Sequence, residues 1–366
     1  MARIERGPMR WLRHLDPILL MLVLAVLAIS VAVMTSASGQ STARISGHLI
    51  NIGLALAVMV VMANVPPHLL SKAGPPLYVV GVVLLVGVAL FGEIRNGSRR
   101  WLDFGVIAFQ PSELLKLALP LMLAWYFQRN EAVLGSRHFA IGGVLLLLPF
   151  LLILRQPDLG TALMIGASGF YLLFFAGLPW KVILAGGVLG GASLPLAWRF
   201  MHDYQQQRVL MLLDPSSDPL GAGYHIIQST IAIGSGGLFG KGWMEGTQNQ
   251  LDFIPERTTD FIFAVFGEEF GYVGAILLAA LYLAIVARGL TIAARAPTQF
   301  GRLMAATLSL NLFTYVFVNI GMVSGILPVV GVPLPLMSYG GTALVTLLLG
   351  MGILMSVATH RQLNKT

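Results

Sequence analysis

The stretch LMAATLSLNLFTYVFVNIGMVSGILPVVGVPLPLMSYGGTALVTLLLGMGILMSVATH, residues 303–360, contains no Lys, Arg, Asp or Glu. It is too long for a single bilayer crossing, which takes about 17–25 apolar residues, so it holds two. The Pro- and Gly-rich middle, Gly325 to Gly341, separates them as a buried or re-entrant turn. Lipid offers no hydrogen-bond partner, so the backbone of that turn must be satisfied by protein or by a water-lined cavity. The same reading extends outward. The chain is 56% hydrophobic and 11% charged with mean hydropathy +0.80, against roughly 25% charged residues in soluble domains. Ten candidate spans follow, at about 17–35, 48–64, 75–92, 112–128, 139–155, 159–178, 181–198, 261–287, 303–325 and 335–358. The expected fold is an all-α integral membrane protein, one domain over residues 1–366, with a large loop at about 199–260 between spans seven and eight.

Lys and Arg set the orientation. Short segments holding Arg3, Arg6, Arg10, Arg13, Lys72, Arg129, Arg288, Arg295 and Arg302 read as cytoplasmic, which puts both termini inside and the 199–260 loop outside. The apolar region from Pro17 to Met34 exceeds the roughly 7–15 residues of a signal core, so it reads as an uncleaved first span. The net charge of +7 is scattered between spans, with no basic domain. It reads as topology and contact with anionic lipid, and argues against nucleic-acid binding. Cysteine is absent, which removes disulfides and thiolate metal sites.

Of sixteen acidic residues, nine (Asp203, Asp214, Asp218, Glu245, Asp252, Glu256, Asp260, Glu268 and Glu269) fall in and just after that loop. Asp260, in Arg257-Thr258-Thr259-Asp260-Phe261-Ile262-Phe263, stands at the lip of an apolar run. Desolvating a carboxylate there is costly and needs a reason. Residue type leaves two accounts open, a helix N-cap or a carboxylate that does chemistry. On a helix, Glu268 would lie about 12 Å farther along the axis. That is too far for the roughly 5 Å carboxylate pair of a retaining glycosidase, so one base acting alone is the better fit.

Four further segments carry polar or special residues. Arg95-Asn96-Gly97-Ser98-Arg99-Arg100-Trp101 precedes Gln110-Pro111-Ser112-Glu113-Leu114-Leu115-Lys116. Pro111 suits the first position of a helix, and Glu113 and Lys116 share one of its faces. They form either a self-neutralising ion pair or a phosphate-facing lysine oriented by its partner. Arg155-Gln156-Pro157-Asp158-Leu159-Gly160-Thr161 reads as a tight turn with Asp158 or Thr161 at a helix start. Gly234-Ser235-Gly236-Gly237-Leu238-Phe239-Gly240-Lys241-Gly242 lacks the P-loop pattern, although its glycines would let backbone N–H groups approach a phosphate. Tyr224 to Ala232, with Gln228 in it, suits a short interfacial helix. Glu268 and Glu269 read as internally paired. The Asn319–Ala343 segment, with Ser338, reads first as a kinked structural turn.

In this order the segments resemble the SEDS family of shape, elongation, division and sporulation proteins, over essentially all ten spans. Gln-Pro-Ser-Glu-x-x-Lys, Asp-Phe-Ile-Phe-Ala-Val and the Asn319–Ala343 segment carry the resemblance. Gln250 to Phe253 before Pro255-Glu256-Arg257, and Gly331 to Pro335 with Gly341-Thr342-Ala343, resemble the family's RodA branch. Thr258 departs from the pattern, because the family usually has His there.

The resemblance implies a peptidoglycan glycosyltransferase in the bacterial cytoplasmic membrane, polymerising lipid II at its outer face. Its partners would be a class B penicillin-binding protein and other proteins of the elongation complex. The family's essential aspartate maps onto Asp260, and its paired Glu and Lys onto Glu113 and Lys116. The donor glycan hangs by an α-pyrophosphate from a polyprenyl tail. Forming a β-linkage inverts the anomeric centre, so one general base suffices. Asp260 would take the acceptor hydroxyl's proton. Lys116, Arg100, Arg208 or Lys241 would meet the pyrophosphate, with or without Mg²⁺ or Mn²⁺, and Gln228 and Ser338 would line the substrate site. Two rival classes are a lipid flippase, which would need its charges near the bilayer midplane, and a non-catalytic scaffold, for which Asp260 would be dispensable.

Overall fold

A computed structural model describes residues 13–360 except 96, 97, 104–107, 157, 202, 220 and 222. A helix occupies each of the ten intervals expected to span. These are α1 (Pro17–Ala37), α2 (Thr42–Ala63), α3 (Pro67–Phe91), α4 (Pro111–Arg129), α5 (Ser136–Leu154), α6 (Leu159–Phe175), α7 (Trp180–Phe200), α11 (Ile262–Arg295), α12 (Gln299–Val323) and α13 (Gly341–Thr359). Between α7 and α11 lie α8 (Asp203–Leu213), α9 (Tyr224–Ser235) and α10 (Thr247–Gln250). Among the described residues, α1, α2, α3, α5, α11, α12 and α13 are long and apolar enough to cross a membrane. α6 and the Trp180–Ser193 part of α7 are apolar but shorter. α4 carries Glu113 and Lys116, and both turn inward.

The hydrophobic pattern is that of a lipid-embedded bundle. Large apolar side chains such as Ile50, Val83, Phe91, Leu147 and Val188 stand exposed on the periphery. The core is built where α2 meets α13, α3 meets α4, and α12 meets α11, α6 and α4. α1 begins with Asp16 as N-cap, accepting a 2.9 Å bond from the Leu19 N–H. The same carboxylate receives Arg288 from the far end of α11, Nε to Oδ1 at 3.1 Å, so α1 and α11 run antiparallel with a polar clasp at one end.

Two features went unread in the sequence. The α3–α4 connection, read in the sequence only as a segment of polar residues, forms an antiparallel ribbon of β1 (Glu93–Arg95), β2 (Ser98–Asp103) and β3 (Ala108–Phe109), with Glu93 opposite Trp101 and Leu102 opposite Phe109. Helix α11 is also broken at Gly271, where φ is +64° and ψ −166°. The glycine-dense segment fills that break. Lys241 and Gly242 donate backbone N–H bonds to the carbonyls of Glu268 (3.0 Å) and Glu269 (3.1 Å), and Tyr272 and Val273 donate to Gly237 (2.9 Å) and Leu238 (3.0 Å). A Cβ on Gly240 would sit 2.0 Å from the Glu269 carbonyl. Glycine is needed there for backbone-to-backbone approach, and the N–H groups of Lys241 and Gly242 are spent on α11 instead of a phosphate.

Candidate active site

Asp260 lies in the turn that leads into α11, half-buried, one residue before the helix N-cap Phe261. Glu256 starts the turn by accepting the N–H groups of Thr259 (3.0 Å) and Phe261 (3.2 Å) on its carbonyl. Three consecutive carbonyls are then held from the late segment of the chain. Tyr339 donates its N–H to Thr258 O at 2.8 Å. Ser338 donates its hydroxyl to Thr259 O at 2.6 Å. Asn319 donates from Nδ2 to Asp260 O at 2.8 Å and to Val332 O at 2.7 Å. The Ser338 and Asn319 side chains are buried, and losing either would leave a backbone partner unsatisfied.

The turn from Ser324 to Gly340 folds back over this site as an irregular connection, largely buried from Val332 to Ser338 and more open before it, with Ile326 and Gly331 exposed. Gly331, at φ +71°, faces the carboxylate, and a Cβ there would lie 3.4 Å from Asp260 Oδ2. Two residues on, Pro333 lines a cavity shared with Glu113, Lys116, Asn311, Tyr315 and Thr346. In that cavity Lys116 Nζ donates to Glu113 Oε1 at 2.6 Å, with side chains only 16% and 12% exposed, and sits 5.5 Å from the centre of the Tyr315 ring. The Gly331–Pro333 backbone therefore joins the Asp260 turn to the ion pair. Both accounts of Glu113 and Lys116 fit this geometry, a neutralised pair that also faces a cavity. Glu113 Oε2 is buried without a hydrogen-bond partner.

The neighbouring motifs close the far side. Gln110 Nε2 donates to Asp158 Oδ2 at 3.3 Å, and Asp158 Oδ1 caps α6 by accepting from the Thr161 N–H at 3.1 Å. Asp158 thus plays the capping part expected of it. A Cβ on Gly160 would sit 2.8 Å from Val330 O, so α6 starts against the same late turn.

Other candidates fall elsewhere. Ser338 is buried and divides its hydroxyl between Thr259 O and the Leu334 N–H (2.7 Å). In this arrangement Ser338 ties the turn to backbone on both sides, donating its hydroxyl to one carbonyl and accepting one N–H. Lys241 is committed to the fully buried Glu268, Nζ to Oε1 at 2.7 Å, and to Thr247 at 2.8 Å. Glu268 also accepts the N–H groups of Gln248 (2.9 Å) and Asn249 (3.3 Å), and Glu269 receives the Ser36 hydroxyl of α1. The pairing expected of these two glutamates is internal, as read. Gln228 is half-buried on α9, the helix pinned to the end of α12 by Ser229 Oγ to Val323 O at 2.9 Å. Arg100 belongs to β2 and Arg208 to α8, and their side chains lie outside the described residues.

Three contributors were missed in the sequence: Asn319, Tyr315 and His225. Polar side chains in an otherwise apolar span were the available signal for the first two. His225 packs against Phe261 with ring centroids 5.6 Å apart. Burial holds its imidazole below the usual histidine value, against an opposing pull from Glu256.

The FtsW/RodA/SpoVE model, described as cell cycle protein, matches residues 13–363. The peptidoglycan glycosyltransferase MrdB of Escherichia coli K12 is 56% identical over 351 residues, 96% of this chain and 95% of that one. Among solved structures, a chain from a peptidoglycan synthase complex that coordinates polymerization and crosslinking aligns with TM-score 0.82 at 34% identity, covering 95% of this chain and 99% of that one. The rod shape determining protein RodA of Thermus thermophilus aligns with TM-score 0.72 at 30% identity, covering 95% and 98%.

Proposed function

The chain belongs to the FtsW/RodA/SpoVE family of cell cycle proteins, and from that membership we propose that it is a peptidoglycan glycosyltransferase polymerising lipid II for cell-wall elongation, with Asp260 as its general base. The family resemblance carried by the sequence motifs is thereby borne out. The observation that supports the chemical assignment is the immobilisation of three successive carbonyls around Asp260. A base acts in the transition state only if it is held in register with the proton it takes.

In this reading Asp260 takes the proton of the acceptor's sugar hydroxyl as that oxygen attacks the donor's anomeric carbon. The C–O bond to the pyrophosphate breaks on the opposite face, giving inversion without a covalent intermediate. The leaving pyrophosphate gains charge as it departs. Lys116 supplies a fixed cation for it, with Glu113 setting the ammonium's direction, and Arg100 and Arg208 add further positive charge. Apolar grooves between helices take the polyprenyl tails.

A divalent cation is compatible with this donor set. Among the described residues no group of three or more His, Asp or Glu could hold a metal. Mg²⁺ is, however, commonly bound by one or two carboxylates together with substrate phosphates. Asp260 and the pyrophosphate are such donors, and the ion would supply charge neutralisation.

The enzyme sits in the bacterial cytoplasmic membrane with both termini inside and residues 199–260 outside. A class B penicillin-binding protein crosslinks its product within the elongation complex. Purified full-length chain given labelled lipid II, with and without that transpeptidase and Mg²⁺, tests the reading. Glycan polymer from wild type and none from a folded Asp260→Asn variant is the expected result. Translocation without polymer would make it a flippase, and neither activity would make it a scaffold.

A further inference from the structure

A second cavity, of about 640 Å³, lies at the end of the bundle remote from Asp260. Asp260 precedes the first turn of α11. The cavity is walled by the start of α3, the last turn of α4, the Pro297–Phe300 entry to α12 and the end of α13. Its volume is within the roughly 300–1,000 Å³ of small-molecule sites.

The lining holds two cations, Lys72 and Arg129, and no carboxylate, with His68, His360, Trp125 and Thr298 beside them. Arg129 is held over the Trp125 ring at 5.5 Å, and His360 is stacked on His14 at 4.0 Å with planes 5° apart. Two helices begin at its wall. α3 starts after Pro66 without a side-chain cap, and α12 starts at Thr298. The C-termini of α4 and α13 meet the same wall, so the helix dipoles offset one another and the positive potential comes from the side chains. The surroundings are apolar: Leu69, next to His68, is 48% exposed, and Val133, just past α4, is 66% exposed. Trp at the end of such a helix sits at headgroup depth.

The geometry points to a binding site for the phosphate of an anionic phospholipid headgroup, with Lys72 and Arg129 as its charged contacts and the acyl chains lying along the apolar flank of α3. Basic pockets between helices at a membrane face commonly hold such headgroups. This site lies apart from the glycan chemistry, so its failure and the failure of the enzymatic reading are separately visible.

The test is native mass spectrometry of the full chain in detergent with phosphatidylglycerol or phosphatidylcholine of identical acyl chains, alone and with added inorganic phosphate. Wild type should retain phosphatidylglycerol preferentially. Lys72→Gln with Arg129→Gln should weaken retention about tenfold to thirtyfold, as expected for two headgroup-facing cations. The charge-preserving pair Lys72→Arg with Arg129→Lys should keep the preference, as should Arg295→Gln, which removes a cation of the same end outside the cavity. Thermal unfolding of each variant guards against misfolding. Equal retention of the two lipids, or an unchanged preference in the double Gln variant, would overturn the site. An equal loss in Arg295→Gln would reduce it to general surface charge. Full displacement of the lipid by equimolar inorganic phosphate would make it a free-phosphate site, and the lipid assignment would be wrong.

Discussion

The hydroxyl of Ser338 donates a 2.6 Å hydrogen bond to the carbonyl of Thr259, the residue before Asp260. That bond fastens the turn carrying Asp260 to the Pro/Gly-rich segment that follows α12. Removing the hydroxyl leaves Thr259 O and the Leu334 N–H without their partner, a loss of about 1–3 kcal/mol. Ser338→Ala should therefore lower the unfolding temperature and, by loosening Asp260, cut the polymerisation rate more than it changes lipid II binding. Equal effects on rate and KM would instead assign Ser338 to the substrate.

Gly331 sits at φ +71° against the Asp260 carboxylate. A left-handed residue other than glycine costs about 1–2 kcal/mol. Gly331→Ala should keep the fold and lose activity, with a larger loss for Gly331→Val. Wild-type rates for both on a glycan gel would remove this segment from the site.

The Glu113–Lys116 pair is mostly buried. Breaking one side of a buried pair costs about 3–5 kcal/mol, whereas replacing both partners is often near neutral. Glu113→Gln and Lys116→Met should each destabilise more than the double variant does, while all three lose polymerisation. A double variant with wild-type activity would leave the pair a purely structural role.

Asp16 gives the pH dependence. Burial pushes its carboxyl upward, but the Arg288 hydrogen bond, the Leu19 N–H and the Arg288 charge prevail and hold it below the ordinary value of 3.8. A depressed carboxyl stabilises the fold above its unfolded-state pKa, and that stability is lost as pH falls through the folded value. The α1–α11 clasp should thus hold at neutral pH and weaken below about 4. Unfolding temperatures from pH 7 to 3 should fall more steeply in wild type than in Asp16→Asn, whose curve starts lower. Parallel curves would exclude the clasp as the titrating element.

The chain's lack of cysteine makes topology directly measurable. A cysteine at Ser216 should react with an impermeant reagent in spheroplasts, and one at Asn364 only after the membrane is opened. Labelling at Asn364 in intact cells would invert the proposed orientation.

Local signals carried much of the fold because bilayer insertion is decided segment by segment. Length and apolarity marked out the helices α1, α2, α12 and α13, and Pro111 and Asp158 stand at the helix starts their residue types favour. Strand pairing between Glu93 and Trp101 was not legible, because a three-residue strand has no periodicity to read. The break at Gly271 was hidden for a related reason. One glycine in an apolar run is ambiguous until the partner backbone, here Gly237 to Gly242, is known to lie against it.

The sequence by itself determined the membrane-embedded class, the family, and which carboxylate stands at the lip of an apolar helix, since hydropathy and linear motifs are properties of short segments. Tertiary structure alone decided what holds the backbone of the turn that carries it, and which lysine is already claimed by a buried carboxylate. Asn319, Ser338 and Tyr339 lie some sixty to eighty positions along the chain from the turn they grip. Lys241, read as a phosphate ligand, is claimed by Glu268 across a helix break. Hydrogen bonds and ion pairs are satisfied by proximity in space, and only the packed bundle brings such distant segments within 3 Å of each other.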